Sequence, residues 1–132
     1  DVAGALLVSD EKYNVDIFLG IGGGPEGVLC AAALDSYKCK FQGRFLFETD
    51  EDIKRATKMG IQDLNKKYEI NEIIRGDTIF CASAITDTMT MKGVAPDGEQ
   101  HYTTETLVTH KSTNENHLNI EKRRMIFDDP KK

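Results

Sequence analysis

A run of glycines between an apolar segment and a helix-forming segment constrains this chain most. Residues 20–27 read Gly-Ile-Gly-Gly-Gly-Pro-Glu-Gly, and the branched and aromatic run Val15–Leu19 comes directly before them. That run is typical of a buried strand stopped by glycine. Pro25 and Glu26 both suit the first turn of a helix, which Val28–Leu34 continues. The segment therefore predicts a strand, a turn and a helix in succession.

The rest of the chain predicts an α/β fold with a mixed sheet in one domain, residues 1–127, followed by a tail, residues 128–132. Helical segments are expected at Val2–Val8, at Glu51–Met59 with Thr49 and Asp50 as caps, and at Asn71–Ile74. Strands are expected at Phe41–Phe47, Thr78–Ala84 and Leu118–Glu121, with a hairpin that joins Lys92–Ala95 to His101–His110 through Pro96-Asp97-Gly98. Val28, Leu29, Ala32 and Ala33 are expected to face the core.

Composition excludes several classes of protein. The 132 residues are 39% hydrophobic and 30% charged, which is typical of a globular domain. A net charge of −5 argues against nucleic acid as a partner, because phosphate contacts need a concentrated basic surface. No apolar stretch approaches the roughly 20 residues that span a bilayer, so no membrane partner is expected. The three cysteines, Cys30, Cys39 and Cys81, lack metal or redox spacing and are interpreted as reduced packing residues.

The glycine-rich turn predicts an anion site. Glycines let the backbone approach a ligand closely, and a helix start offers unpaired N–H groups with partial positive charge. The carboxylate of Glu26 would repel a bound phosphate unless a cation lay between them. Mg²⁺ or Mn²⁺ would resolve that conflict, because such ions bridge carboxylates to phosphate oxygens. The alternative is that Glu26 only interacts with the helix dipole.

The same turn formally matches a dinucleotide fingerprint. Gly22, Gly24 and Gly27 have the required spacing, and Glu48 follows about 20 residues later. Against this interpretation, Glu26 would occupy the turn that receives the pyrophosphate, and later segments predict hairpins in place of further βαβ units. A phosphate- or dinucleotide-binding module without chemistry of its own therefore stays as the alternative.

Several stretches together resemble one enzyme family. Residues 20–28, followed by Ala31–Leu34, closely resemble the Gly-Ile-Gly-Gly-Ala-Pro-Glu-Gly-Val segment of class II fructose-1,6-bisphosphatases. The resemblance extends to about His117, which makes it more specific than a glycine motif alone. Later pieces agree in the same order: Gln42-Gly43-Arg44, Lys58-Met59-Gly60-Ile61, Arg75-Gly76-Asp77, Ile79-Phe80 and Thr103-Thr104-Glu105-Thr106-Leu107.

The resemblance implies a fold and an activity. The fold would be a layered α/β sandwich of the sugar-phosphatase, inositol monophosphatase-like type, of which this chain is the C-terminal domain only. The activity would be metal-dependent hydrolysis of fructose-1,6-bisphosphate to fructose-6-phosphate and phosphate in gluconeogenesis, by a cytoplasmic homo-oligomer. A dual fructose and sedoheptulose bisphosphatase is the alternative.

The resemblance also implies roles for three residues. Glu26 would be a ligand of the catalytic Mn²⁺ or Mg²⁺, Gly23 would contact the sugar phosphate, and Asp1 would bind the sugar. The family's other metal carboxylates, its catalytic threonine region and its basic phosphate-binding residues lie upstream. No catalytic residue is therefore expected in this chain, and the missing N-terminal part of the same enzyme would be its partner. Gly24 replaces the family's usual alanine, and Thr86–Met89 lacks the family's Gly-Asp, so no role is carried onto that loop.

Overall fold

The computed structural model describes residues 2–124, so Asp1 and the predicted tail, residues 128–132, lie outside the described range. The helices are α1 (Val2–Ala5), α2 (Gly24–Ser36), α3 (Asp50–Lys58) and α4 (Ile70–Ile73), with short 3-10 turns at Leu6–Ser9 and Glu11–Tyr13. The strands are β1 (Gln42–Gly43), β2 (Tyr68–Glu69), β3 (Ile79–Ser83), β4 (Ala95–Pro96), β5 (His101–His110) and β6 (Glu115–Arg124). Within residues 2–124, no helix combines the length and apolarity needed to cross a bilayer.

The larger sheet is built around β5. Strand β6 pairs with β5 over its whole length, while β3 and β4 share its other edge, at residues 106–110 and 102–103 respectively. Strands β1 and β2 form a separate two-stranded pair. All four pairings in the described part of the chain are antiparallel.

The core lies between α2 and one face of the larger sheet. Phe80 of β3 is opposite Thr109 of β5, and Ala82 is opposite Leu107, so these four side chains share a face. Leu6, Ala33 and Phe80 are the buried centre of the cluster. Partly buried Val2, Tyr37, Ala82 and Leu107 pack around that centre. The C-terminal two-thirds of α2 is thereby held against the sheet.

A buried hydroxyl pair ties α2 to β5. Ser36 Oγ donates to the carbonyl of Ala33 at 2.6 Å, and it lies 2.6 Å from Oγ1 of Thr109, which is 1% exposed. Since the Ser36 hydroxyl proton goes to Ala33, the hydroxyl of Thr109 is the donor to Ser36. Next to this pair, the ammonium of Lys111 lies 2.9 Å from Oδ2 of Asp35.

Replacing Thr109 by valine should lower the free energy of unfolding by about 1–2 kcal/mol, because the shape is kept while a buried hydrogen bond is lost. Urea denaturation of the chain measures this. Thr106→Val is the matched control, because Thr106 Oγ1 forms an exposed pair with Ser83 Oγ at 2.7 Å in the same strand pair. The control should change the unfolding free energy by less than about 0.5 kcal/mol. Equal losses in the two variants would contradict the role of the buried pair.

Most predicted elements are confirmed. The capping residue Thr49 precedes α3 at the expected place, and Gly60 follows that helix at φ +92. The short helix near residue 71 ends before Gly76, at φ +86, and the predicted hairpin turn contains Gly98 at φ +84. Positive φ at these sites is the conformation that glycine adopts at least cost.

The buried strand predicted at Val15–Leu19 is wrong for the described chain. The segment forms no strand and pairs with none within residues 2–124, and Ile17 and Leu19 are 72% and 84% exposed. The expected mixed sheet is not found in the described residues either, because all four of their strand pairings are antiparallel. Val28 and Leu29, predicted to face the core, are half exposed at the start of α2.

Other boundaries also differ from prediction. The strand expected at Phe41–Phe47 is only two residues long in β1, whereas the last strand, expected at Leu118–Glu121, extends over ten residues as β6. Asn114, at φ 55, provides the tight turn before β6. Among the cysteines, the packing role is confirmed for buried Cys30 and is wrong for exposed Cys81.

Candidate functional site

The glycine turn leads directly into the first turn of α2. Gly23 is the residue before the first helical position, at φ −66 and ψ 156, and it offers no side chain to cap the helix. Pro25 lies in the first turn, where its missing N–H would have had no helical partner. The first helical hydrogen bond runs from the Gly27 N–H to the Gly23 carbonyl at 3.0 Å. The amides of the first turn therefore point towards solvent, where an anion can accept from them.

The carboxylate of Glu26 folds back over Gly23. A Cβ atom on Gly23 would overlap Oε2 of Glu26, so the carboxylate occupies space that only glycine leaves open. A Cβ on Gly24 would meet only Cε1 of Phe45, at 3.9 Å, and one on Gly27 would meet nothing within 4 Å. Of these three glycines, Gly23 is the one that the position of Glu26 requires.

The Glu26 carboxylate does not cap its own helix. In α3 the acidic residue at the same position, Asp52, accepts from the Thr49 N–H at 3.2 Å, and in α4 Glu72 accepts from the Glu69 N–H at 3.0 Å. Glu26 makes no such bond to Gly23, and within residues 2–124 it has no hydrogen-bond or ion-pair partner. The carboxylate oxygens of Glu26 are therefore available to bind a ligand. An interaction with the helix dipole alone would not require this availability.

A complete metal site is not present in the described residues. Between Val2 and Arg124 no group of three or more acidic, histidine or cysteine side chains is arranged to hold an ion. Cys30, one turn after Glu26, is not a ready ligand, because burial raises the pKa of its thiol and the Glu26 charge adds to that effect. Glu26 fits a hard divalent ion as a single carboxylate ligand, and Asp1 lies outside the described range.

Two cavities of the described chain lie away from the glycine turn. One, of about 170 Å³, is lined by residues that include Tyr13, Tyr37 and Asn116. The other, of about 410 Å³, lies on the outer face of the larger sheet, beside Tyr102 and Arg123. Gly23 and Glu26 line neither of these two cavities.

Sequence reasoning missed a polar cluster at the end of β5. His110 Nε2 lies 2.7 Å from Oδ2 of Asp77, and Ser112 Oγ donates to the same oxygen at 2.7 Å. Thr113 Oγ1 lies 3.0 Å from the other ring nitrogen. Ser112 Oγ and Asp77 Oδ2 both contact Nε2 of His110, at 3.1 and 2.7 Å. In a catalytic triad the hydroxyl and the carboxylate contact different ring nitrogens, so this imidazole cannot relay a proton between Ser112 and Asp77. The cluster joins the β5–β6 turn to the start of β3, and no sequence spacing could have revealed it.

The cluster predicts a pH dependence of stability. Hydrogen bonds, first from Ser112 and then from His110, lower the pKa of Asp77 from 3.8 to about 2. A carboxyl with a depressed pKa in the folded state stabilises the fold above its ordinary pKa, and this contribution is lost as the pH falls through the folded value. Asp77→Asn should therefore lower the urea midpoint at pH 7, and its difference from the wild type should vanish between about pH 4 and about pH 2. Asp16→Asn, at an exposed position, serves as the control, and a pH-independent difference for Asp77→Asn would contradict the prediction.

Sequence comparison relates this chain to known proteins. The sequence profile described as bacterial fructose-1,6-bisphosphatase, glpX-encoded, matches residues 1–122. A relative from Prochlorococcus marinus (strain NATL1A), named D-fructose 1,6-bisphosphatase class 2/sedoheptulose 1,7-bisphosphatase, is 36% identical over 71% of this chain and 32% of its own length. Proteins of the same name from Thermosynechococcus vestitus and, with the suffix 2, from Acaryochloris marina are 34% and 35% identical, over 71% of this chain and 31% of their own lengths.

The helices and antiparallel sheets of residues 2–124 define an α/β protein. The match over residues 1–122 is more specific, and the chain belongs to the glpX-type bacterial fructose-1,6-bisphosphatase family. The class II resemblance stated from residues 20–34 and the later matching pieces is thereby confirmed. The chain spans about a third of the length of the curated relatives it matches.

Proposed function

We propose that a polypeptide of the relatives' length that contains this chain is a metal-dependent sugar bisphosphatase. Such a polypeptide is called here the family-length protein. The observation that carries the proposal is the carboxylate of Glu26, which lies over Gly23 at the open start of α2 without a partner in the described residues. In this proposal the chain is the C-terminal part of a layered α/β sandwich of the inositol monophosphatase-like type.

The residues of this chain would bind and orient the substrate. Glu26 would hold the divalent ion, Mn²⁺ or Mg²⁺, together with carboxylates from the rest of the family-length protein. Gly23 would let a phosphate group approach the backbone closely, and Asp1 would accept hydrogen bonds from sugar hydroxyls. The open amides at the start of α2 would favour the negative charge of that phosphate.

The reaction proposed is hydrolysis of a phosphate monoester. A bound divalent ion would supply an activated water and neutralise charge on the phosphoryl oxygens. The backbone of the glycine turn would keep the ester in line for attack, and the rest of the family-length protein would provide the general base and the basic phosphate contacts. While substrate is bound, the negative charge of Glu26 would be paired with that of the ion. This pairing would remove the repulsion between the Glu26 carboxylate and the phosphate.

The relatives' names direct the choice of substrate. Each is named for both fructose 1,6-bisphosphate and sedoheptulose 1,7-bisphosphate, so we propose one or both for the family-length protein. Release of fructose-6-phosphate from the former would place it in gluconeogenesis. A cytoplasmic homo-oligomer is the form proposed for it.

Phosphate release tests the proposal directly. The family-length protein should release phosphate from fructose-1,6-bisphosphate with Mn²⁺ or Mg²⁺, and EDTA should abolish the release. Parallel assays with sedoheptulose-1,7-bisphosphate decide between a single and a dual substrate. Titration with NAD in the absence of metal tests the alternative of a dinucleotide-binding module. NAD binding without metal, together with no phosphate release from either sugar, would overturn the proposal.

A further inference from the structure

Strand β6 leaves one edge of the larger sheet open. Among residues 2–124 it pairs with β5 alone, and all ten of its residues, Glu115–Arg124, are exposed. Alternate residues of an antiparallel edge strand direct their N–H and C=O groups away from the sheet, where another strand can pair with them. This edge can therefore accept one further strand.

The middle of the open edge carries no Asp, Glu, Lys or Arg. Residues 116–120 read Asn-His-Leu-Asn-Ile, although soluble proteins usually protect an open edge with charged side chains or proline. Two basic side chains near the end of β6 are held by the residues between β4 and β5. Lys122 Nζ lies 2.8 Å from Oδ2 of Asp97, and the Arg124 guanidinium donates to Oε1 of Gln100 at 3.1 Å. The centre of the edge is therefore unprotected against pairing.

Two apolar side chains extend the core face of the sheet to this edge. Leu118 lies directly opposite Leu107, which packs against the core, and Ile120 lies two residues further along the same face. Helix α2 packs on the β3 and β5 part of this face, but Leu118 and Ile120 are 42% and 66% exposed. The apolar face is thus wider than the layer of this chain that covers it.

We propose that β6 of the family-length protein pairs with β6 of a second copy, antiparallel and about a two-fold axis that passes through Asn119. The axis is perpendicular to the sheet, so the α2 layers of both copies lie on the same side. Residues 115–123 of the two copies form one ladder, in which Asn119 lies opposite Asn119 of the second copy. Two four-stranded sheets thereby join into one continuous sheet.

The sequence of β6 is self-complementary in this register. On the core face, Leu118 of each copy lies opposite Ile120 of the other. On the outer face, Glu115 of each copy lies opposite Arg123 of the other. Apolar pairs and pairs of opposite charge stabilise antiparallel strands when they lie directly across from each other. The two-fold axis makes each of these pairs occur twice.

The polar side chains of the outer face also satisfy one another. Within one copy, Nε of Arg123 donates to Oε2 of Glu121 at 2.8 Å. A guanidinium has five N–H donors, so Arg123 can bind Glu121 and Glu115 of the second copy together. Glu121 itself lies opposite His117 of the second copy, which is a hydrogen-bond donor. Each glutamate of β6 therefore has a donor side chain across the interface.

Neighbouring registers lack this complementarity. An axis through Leu118 would put Glu115 opposite Glu121, and like charges directly opposite each other destabilise a strand pair. An axis through Ile120 would put Leu118 opposite Lys122. An axis between two residues would require side chains on opposite faces to lie across from each other, which the period of two in a strand forbids. The match favours a second copy over an unrelated strand, because a copy supplies the same sequence in reverse order.

A cysteine at the axis tests the proposal in the family-length protein. Asn119→Cys should form a disulfide between two copies on treatment with diamide, because directly opposite Cβ atoms lie about 4.5–5.5 Å apart, close to disulfide distance. Most chains should then run at twice the monomer mass on a denaturing gel without reductant. Asn116→Cys is the matched control, because its two copies would lie about 20 Å apart along the strands. Both changes are made in a Cys81→Ser background, since Cys81 is exposed, and that background alone gives the baseline.

Each result of this experiment decides the proposal. A bridge in Asn119→Cys and none in Asn116→Cys supports the paired edge and its register. No bridge in Asn119→Cys would show that something other than a second copy covers the edge, such as the rest of the same polypeptide, and would overturn the proposal. Equal bridging in both variants would indicate random collision and would also overturn it.

Two charge reversals test the register independently. Glu115→Arg puts two arginines opposite each other at both ends of the ladder, and Arg123→Glu puts two glutamates there. Each variant should raise the dissociation constant of its own dimer by about 10-fold or more, because two favourable charge pairs become repulsive. A mixture of the two variants should associate more tightly than either alone, because every arginine then lies opposite a glutamate.

Sedimentation of the family-length protein, with one variant fluorescently labelled, measures these constants. A mixture that binds no more tightly than the separate variants would contradict the register. The inference rests on the homo-oligomeric form proposed above and not on the reaction. Because its readouts are molecular masses and not turnover, failure of the bisphosphatase assay leaves the interface intact, and failure of the cross-link leaves the proposed reaction intact.

Discussion

Glu26→Gln should lower metal-dependent phosphate release by the family-length protein at least about 100-fold. Loss of a group that only orients a metal ligand typically costs 10–100-fold in metal affinity or activity, and removing the charge of a ligand itself should cost no less. The amide keeps the size of the side chain but binds a hard divalent ion more weakly than a carboxylate does. Phosphate release measured across a range of Mn²⁺ concentrations should show the activation constant rising together with the fall in rate.

The fold should be unaffected by this change. Glu26 has no hydrogen-bond or ion-pair partner within residues 2–124, so the urea midpoint of the 132-residue chain should stay at its wild-type value. Glu51→Gln is the matched control, because Glu51 is an exposed glutamate in the first turn of another helix, α3. Wild-type kinetics for Glu26→Gln would remove Glu26 from the site. Loss of activity in both variants would point to a general effect of charge.

Local signals in the sequence predicted the local structure well. Thr49 before an acidic turn and Gly60 after the helix mark both ends of α3, because a hydroxyl cap and a positive-φ glycine satisfy the groups that a helix leaves open. Gly98 likewise marks the turn of the β4–β5 hairpin. At the candidate site, Pro25 predicted the first turn of α2, and the family resemblance singled out Gly23 and Glu26.

Long-range pairing was predicted less well. The run Val15–Leu19 has the composition of a buried strand, but burial also needs neighbours, and the described residues provide none. The same absence leaves Val28 half exposed although it lies in an apolar helix.

Contacts between residues far apart in the sequence were also missed. Asp77 and His110 meet because β3 and β5 pair in a fixed register, and Ser36 meets Thr109 because α2 lies on that sheet. Neither pair has a spacing that a single sequence reveals. The position of Glu26 over Gly23 was predicted only in part. The sequence shows that the two residues are three apart, but it does not show that the carboxylate turns back over the glycine.

Gly23→Ala should raise the Mn²⁺ concentration needed for half-maximal activity of the family-length protein by about 10–100-fold, the range typical of losing a group that positions a metal ligand. At φ −66 and ψ 156 alanine is tolerated by the backbone, so the helix should form as before. The new Cβ would overlap Oε2 of Glu26, and the carboxylate would have to swing away from the start of α2. The Mn²⁺ activation constant, measured at saturating sugar bisphosphate, reports that displacement.

Two neighbouring glycines make this prediction specific. Gly24→Ala adds a methyl group that meets only Phe45, at an ordinary contact distance of 3.9 Å, and Gly27→Ala adds one that meets nothing within 4 Å. Neither change displaces Glu26, so both variants should keep the wild-type activation constant, and Gly27→Ala should stabilise α2 by about 0.5–1 kcal/mol. If Gly23→Ala raised the KM for the sugar bisphosphate but left the activation constant unchanged, Gly23 would contact substrate without placing Glu26. The KM and the Mn²⁺ activation constant together therefore show whether Gly23 contacts the phosphate, positions Glu26, or does both.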